Sequence, residues 1–404
     1  MILWIDEKSC TGCEGCFAIC PNDAIEMKMS KEGFVEPTIN NKKCVECGLC
    51  ERVCPVSKEN KIWRDKLSGE KEKRVYAAIN TNKEREDSSS GGIFPVLATF
   101  ILRQHGSVYG AAWDEEYKVH HIKIEDSSDI KKIQGSKYVQ SRIDNIFLQV
   151  KQDLIQGKKV LFFGLPCQVA ALKRFLAKEY NTLYCVDSIC HGVPSEKSWL
   201  TYLNWRILEE NKREKPIFIN MRSKKTGWTG YNYCLEFVYE NGEKTYSPAW
   251  SDPFMKGYTE NLFTRKSCFE CKFKGNTRAS DITLGDFWGI EKIDDSMDDG
   301  KGTSAVIIRS ERGVELWDNI KNELKLKECS LEEVVANNKS YYLSENDLDR
   351  DGEVLLKIQY FNFDDIVYSW FYKKSFVGEM KKYFRWSKRI IKSYKIDLRK
   401  HELK

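Results

Sequence analysis

The chain has 404 residues, 65 Lys and Arg against 60 Asp and Glu, and 41% hydrophobic residues, which is the length of two or three domains with ample apolar material for a core. No run of eighteen apolar residues occurs, which excludes a membrane-spanning helix by hydropathy. The opening Met1-Ile2-Leu3-Trp4-Ile5 meets Asp6 with no basic region, so a secretory leader is not expected, and 15 cysteines in so long a chain read as metal ligands and free thiols of a reducing cytoplasm.

Cys10, Cys13, Cys16 and Cys20 form C-x2-C-x2-C-x3-C with Pro21 behind it. Cys44, Cys47, Cys50 and Cys54 repeat the pattern with Pro55 behind it. This is the spacing of a bacterial-type ferredoxin with two 4Fe–4S clusters, in which the fourth thiolate of each run crosses to the other cluster. Cys10, Cys13, Cys16 and Cys54 are therefore assigned to one cluster, and Cys20, Cys44, Cys47 and Cys50 to the other. A zinc site would use paired C-x2-C units rather than a doubled four-cysteine run with proline. Residues 1–56 are expected to be a ferredoxin domain that carries single electrons.

Residues 57–74 are polar and charged, and read as a linker. A strand is expected at Val75–Asn80, then the small-residue loop Asp87–Gly92, then a helix from Ile93 that stops at Gly106. Ser88–Gly92 suits a phosphate, because glycines admit close approach and the following helix offers free N–H groups. An ordinary N-cap loop would look the same. Strands are expected at Ser107–Trp113 and Lys118–Ile124, a helix at Asn145–Gln156 and a buried strand at Lys158–Gly164. A helix should open just past Pro166, a strand run over Leu183–Cys190, and a helix follow the cap at Ser195. Tyr231–Pro248 reads as a hairpin around Asn241-Gly242. Strands alternating with helices predict an α/β or α+β body built on a mixed sheet, at residues 75–155 and 156–335.

Four further cysteines sit in loop-like contexts beside strand ends: Cys167, Cys190, Cys268 and Cys271. A third cluster needs four thiolates converging from different segments, which this set can supply; Cys167 and Cys190 can equally be small buried residues. Cys185, Cys234 and Cys329 read as core or incidental thiols.

Residues 75–330 resemble the family of coenzyme F-420 hydrogenase/dehydrogenase beta subunits, which are FAD-containing iron–sulfur oxidoreductases. The matching pieces, in the family's order, are Ser89-Ser90-Gly91-Gly92, Gly135-Ser136-Lys137-Tyr138-Val139-Gln140-Ser141, Leu165-Pro166-Cys167-Gln168, Cys190-His191-Gly192, and Cys268-Phe269-Glu270-Cys271 followed by Ala279–Asp286. The resemblance implies a third cluster on Cys167, Cys190, Cys268 and Cys271 beside a flavin, and FAD rather than FMN. Lys137 would pair with the pyrophosphate, and Ser136 and Ser141 would donate to it. A flavin also suits the pairing of chemistries, since it converts between single electrons and hydride.

His191 is the candidate proton donor, with loop bonding as its plainer reading. Asp281 and Asp286 flank a strand and suit either substrate contact or capping. Phe287 and Trp288 suit the site wall or, more simply, the core. Residues 373–404 hold nine Lys and three Arg against Glu379, Asp397 and Glu402, a net of +9 in an aromatic, helical-looking tail (residues 336–404). Such a helix suits an anionic membrane surface, an acidic partner or packing on its own body. Nucleic-acid binding is not expected, because no recognition fold accompanies the charge. The expected protein is a cytoplasmic iron–sulfur flavoprotein passing electrons between a ferredoxin-like carrier and an organic hydride substrate, a deazaflavin or a surface-polysaccharide precursor. Two alternatives stand beside it: a non-catalytic electron-transfer subunit that docks a partner enzyme, and a redox sensor.

Overall fold

The computed structural model describes residues 8–209, 214–229, 232–344 and 363. Strands β1 (Ile25–Met29) and β2 (Val35–Ile39) form an antiparallel ribbon in the N-terminal domain, flanked by the short helices Gly15–Ile19 and Leu49–Val53. The stretch expected as a linker carries a helix, Lys61–Ser68. Its Trp63 ring takes the Arg174 guanidinium at 5.5 Å, which seats the helix against the body.

The body is built on one mixed sheet of eight strands. In chain order these are β3 (Arg74–Asn80), β4 (Ser107–Trp113), β5 (Val119–Ile124), β6 (Val160–Gly164) and β7 (Leu183–Ser188). A separate antiparallel sheet follows, of β8 (Phe218–Ser223), β9 (Cys234–Val238) and β10 (Lys244–Pro248), and then β11 (Ile282–Asp286), β12 (Ser304–Ile308) and β13 (Leu324–Glu328) complete the large sheet. The large sheet runs β13-β3-β12-β11-β7-β6-β4-β5. Its centre, β4-β6-β7-β11, is parallel, and both flanks are antiparallel. Continuous apolar runs such as Val160–Phe162 and Val306–Ile308 are what a sheet covered on both faces requires.

The parallel centre matters most for position. The strands β6, β7 and β11 end at Gly164, Ser188 and Asp286, and the segments leaving them carry Cys167, in the first turn of a helix, Cys190 and Trp288. The strand expected to reach Cys190 stops at Ser188, so Cys190 leaves the sheet and is free to turn toward other segments. Ligands of open α/β sheets sit at these carboxyl ends.

The small sheet packs against helix Glu196–Glu209 and helix Pro253–Thr259 through an aromatic core. Trp199 is its centre: fully buried, stacked on Trp113 at 5.4 Å, edge-on to Phe254 at 5.2 Å, and donating through Nε1 to the Tyr117 carbonyl at 2.8 Å. Phe363 is buried in the same cluster, against Tyr202 and Phe263. The rest of the tail beyond residue 344 lies outside the described residues. Among the described residues, no helix is long and apolar enough to cross a membrane.

The N-terminal domain is not tethered loosely. Its Cys13, Cys16, Ile25 and Val53 share one apolar core with Phe162, Val169 and Phe175 of the body. Around that core, buried Glu14 accepts from Arg142 Nε at 2.8 Å and from the Asp144 backbone N–H at 2.8 Å. Trp199→Ala should cost about 3–5 kcal/mol and should loosen the small sheet first; chemical denaturation followed by tryptophan fluorescence checks it.

Candidate redox and cofactor site

The cysteines meet as three quartets. Cys10, Cys13, Cys16 and Cys54 surround one small cavity, and Cys20, Cys44, Cys47 and Cys50 surround another of about 320 Å³. These are the two sets expected from the crossed-ligand rule. The first set is buried, whereas Cys47 of the second is exposed. Backbone N–H groups already point at sulfur, Gly12 to Cys10 Sγ at 3.4 Å and Ala24 to Cys20 Sγ at 3.3 Å, as thiolates of a cluster require.

The third quartet also converges. Burial pushes the Cys167 thiol well up, and Cys190, Cys271, Cys13 and Cys268 add to the push, in that order. Burial likewise raises Cys268 to about 12 and Cys190 to about 11. Three partly buried thiols whose ionisation is opposed in this way are costly to ionise until a cation or cluster holds them as thiolates. Among the described residues, no three His, Cys, Asp or Glu side chains close tightly enough to share a single ion. For the first two quartets the doubled C-x2-C-x2-C-x3-C spacing, rather than paired C-x2-C units, fits cubanes and not zinc.

The quartets are in sequence through space. Cys50 acts on the buried Cys16, Cys13 acts on Cys167, and Cys190 lines a further cavity of about 440 Å³. That cavity lies at the carboxyl ends of β6, β7 and β11. Ser89, Ser90, Gly92, Gly135, Ser136, Lys137, Ser141 and His191 line it together with Cys190. Gly91 lies outside it. Gly91 seats the loop on the sheet, donating its N–H to Ser304 Oγ at 3.0 Å and accepting from the Asn80 N–H at 2.7 Å. A Cβ there would collide with the Ala78 carbonyl and meet Ser304 N at 2.6 Å.

Hydrogen bonding reassigns several expected donors. Ser88 and Ser90 spend their hydroxyl hydrogens on the Glu84 and Thr303 carbonyls, at 3.2 and 3.0 Å. Ser89 Oγ accepts from the Ser136 N–H at 2.7 Å, and among the described residues nothing takes its hydrogen, so Ser89 is the loop's donor. His121 Nε2 donates to the Phe163 carbonyl at 3.0 Å, which leaves Nδ1 to accept from Ser141 Oγ at 2.7 Å. Ser141 therefore faces the cavity as an acceptor, not the expected donor. Lys137 Nζ reaches only the Gln134 and Gly135 carbonyls, at 3.1 and 3.3 Å. Desolvation pushes its ammonium down to about 7, and no carboxylate among the described residues opposes that.

The far wall comes from the small sheet, which sequence reasoning did not connect to the site. Trp228 Nε1 donates to the Ser89 carbonyl at 3.0 Å and stacks on Trp288 at 4.7 Å. Lys224 Nζ donates to the Ser90 carbonyl at 2.7 Å. Arg222 pairs with Asp286 at 3.0 Å and lies over the Tyr233 ring at 4.2 Å. Asp286 thus pairs with an arginine, while Asp281 is fully buried and accepts from the Cys185 N–H at 2.7 Å and Ser310 Oγ at 2.5 Å. Phe287 is core and Trp288 is wall. Cys185 and Cys234 are buried strand residues, as expected.

Three comparisons with known proteins bear on this site. Residues 157–334 match the C-terminal family of the coenzyme F420 hydrogenase/dehydrogenase beta subunit, and residues 9–58 match the 4Fe-4S dicluster domain. A coenzyme F420-dependent sulfite reductase of Methanocaldococcus jannaschii is 24% identical over 82% of this chain and 48% of that protein, so the chain spans about half its length. One subunit of the F(420)H(2) dehydrogenase of Methanosarcina mazei is 22% identical over 80% of this chain and 86% of that one. A chain from the F420-reducing [NiFe] hydrogenase complex of Methanosarcina barkeri covers 72% of this chain and 91% of its own, at 18% identity and a TM-score of 0.46.

His121 is buried, and desolvation lowers its pKa to about 4. The unfolded imidazole takes a proton near 6.5 and the folded one does not, so stability rises with pH across this window and is lost as pH falls below 6.5. Between pH 6.5 and 5 this site should remove about 1.5 kcal/mol. Thermal melts of the wild type and His121→Gln over that range check it, since the variant should lack this part of the slope.

Proposed function

The chain belongs to the family of coenzyme F420 hydrogenase/dehydrogenase beta subunits and carries a 4Fe–4S dicluster domain at its N-terminus, and from that premise we propose a flavin-dependent iron–sulfur oxidoreductase. That membership makes it an iron–sulfur electron-transfer protein. In the proposal it exchanges electrons between a ferredoxin-like carrier or partner redox subunit and an organic hydride donor or acceptor. The observation that carries the reading is Cys190: it belongs to the third cysteine quartet and is also part of the cavity wall, beside His191 and Gly192.

The clusters supply one-electron storage, and FAD supplies the exchange between single electrons and hydride. The chain's own residues do the rest. Cys10, Cys13, Cys16 and Cys54, then Cys20, Cys44, Cys47 and Cys50, then Cys167, Cys190, Cys268 and Cys271 hold the three cubanes. Ser89 donates to the pyrophosphate, Lys137 neutralises it, and the N-terminus of helix Ile93–Leu102 favours it. Ser141, held as an acceptor by His121, suits an N–H or hydroxyl of the cofactor. His191 lines the cavity, stands edge-on to Tyr258 at 5.0 Å and is the titratable group next in sequence to Cys190, which supports its reading as the proton donor.

The relatives' names supply the first hydride partner to test, coenzyme F420. Nothing in the fold or the relatives points to a polysaccharide precursor. The reading as an electron-transfer subunit has its own support, because the Methanosarcina mazei relative is itself one subunit of a dehydrogenase. Reduction and reoxidation of bound flavin with no turnover of F420 or another hydride partner would favour it.

Anaerobically purified protein should hold about twelve irons and one FAD per chain, and Cys268→Ser should hold about eight. Unchanged iron in that variant would remove the third cluster, and eight irons without flavin in the wild type would remove the oxidoreductase reading. Lys137→Met should weaken FAD binding about tenfold or more, the loss of one charge-assisted bond. An anion raises the Lys137 pKa on binding, so wild-type affinity should fall as pH rises from 7 to 9, and the variant's should not. Equilibrium dialysis at each pH reads both.

A further inference from the structure

The third quartet carries a charge problem that the cysteines alone do not solve. Its four cysteines are partly buried, and Cys190 also lines the cavity wall. Reduction adds negative charge to such a site, and burial opposes it. Cations close to the quartet would offset that opposition.

Three cations are near it, and they are not equivalent. Arg278 is fully buried but has Asp187 at 3.2 Å, also fully buried, so the pair is close to neutral. Lys274 Nζ donates to the Cys190 carbonyl at 2.7 Å and to the Ser340 carbonyl at 2.9 Å, and among the described residues no carboxylate pairs with it. Arg265 is 2% exposed and stands three residues before Cys268, whose N–H donates to the Arg265 carbonyl at 2.9 Å. The Arg265 side chain reaches the other way, into the ferredoxin domain. Its Nη1 donates to the Cys10 carbonyl at 3.2 Å, Nη2 to the Val35 carbonyl at 2.9 Å, and Nε to Gln140 Oε1 at 2.8 Å. The acid paired with it, Glu36, is 3.8 Å away and partly exposed.

We propose that Arg265 and Lys274 are positioning residues that poise the third cluster, holding its reduced state more stable than a buried site would otherwise allow. Arg265 does the same for the Cys10–Cys13–Cys16–Cys54 cluster, because its guanidinium donates to the Cys10 carbonyl while its own carbonyl holds the Cys268 N–H. The inference rests on the reading that Cys167, Cys190, Cys268 and Cys271 hold a 4Fe–4S cluster. The quartet that includes the exposed Cys47 accepts no hydrogen bond from either cation and serves as the internal reference.

The test is an EPR-monitored redox titration of the full chain, with dithionite as reductant, preceded by an iron count. Lys274→Gln should keep about twelve irons and shift one midpoint down. At the wild-type midpoint the reduced-to-oxidised ratio of that cluster should fall about tenfold, or 59 mV for a one-electron couple. Arg265→Gln should shift two midpoints down and leave the third. Arg265→Lys keeps the charge and should restore most of the shift, which a purely structural role would not. Full iron with unmoved midpoints in Lys274→Gln and Arg265→Gln would overturn the inference alone. Eight irons in the wild type would overturn its premise and the inference with it. If Arg265→Gln loses iron, Lys274→Gln decides by itself.

Discussion

A relay of clusters is useful only if its members keep a fixed spacing, and in this chain one buried joint holds that spacing. Arg265 and Gln140 bind each other and together bind the backbone around the first cysteine run: Arg265 takes the Cys10 carbonyl, and Gln140 Nε2 takes those of Thr11 and Gly12 at 3.0 and 3.1 Å. Gly12 must be glycine here. It has φ near 62°, and a Cβ would meet Gln140 Nε2 at 2.6 Å and Arg265 Nη2 at 2.7 Å. The two long side chains thus sit directly on the cluster loop. Satisfied in this way, they act as a rigid joint, whereas either one alone would leave the other's polar atoms buried without partners.

The same joint connects the relay to the sheet. Gln140 lies one residue before Ser141, whose carbonyl accepts from Gln168 Nε2 at 3.0 Å. Gln168 Oε1 in turn accepts from the Leu165 N–H at 2.9 Å and so locks the turn from β6 into the helix that carries Cys167. The 135–141 loop is therefore tied at its C-terminal end both to the ferredoxin domain, through Gln140, and to the helix that carries Cys167, through Ser141, three and four residues past Lys137. A cofactor phosphate bound at Lys137 and a cluster bound at Cys167 would share this scaffold.

How much of this was legible in sequence depended on whether the signal was local. The two cysteine runs state their own ligand sets, because the spacing rule needs no fold. The strand ends at Gly164, Ser188 and Asp286 were also approachable, since apolar runs stop there against Gly, Cys and Pro. The approach of Cys167 to Cys190 was not, because parallel strand order sets β6 beside β7 and no local pattern records that order. The small sheet's role was hidden for a similar reason: Arg222, Lys224 and Trp228 lie ahead of the expected hairpin, and only tertiary contact brings Arg222 into the cavity wall beside Asp286 and sets Lys224 and Trp228 against the Ser89–Ser90 loop. The Ser141 misreading was subtler. A serine can donate or accept, and the choice was made by His121, twenty residues away in sequence, through its tautomer.

The cavity's electrostatics follow from which cations are paired. Arg85 is matched by Asp299 at 2.6 Å and Arg222 by Asp286 at 3.0 Å, so these two brace the wall. Lys137 has only carbonyls, and Lys224 has only the Arg85 and Ser90 carbonyls, at 3.0 and 2.7 Å. Desolvation pushes Lys224 down to about 7, as it does Lys137. Two ammonium groups held short of full charge flank one serine–glycine loop at a helix N-terminus, and an arriving dianion would restore both charges at once. The arginines here are neutralised by acids, whereas Lys137, which lines the cavity, and Lys224, which sits behind the loop, meet only carbonyls.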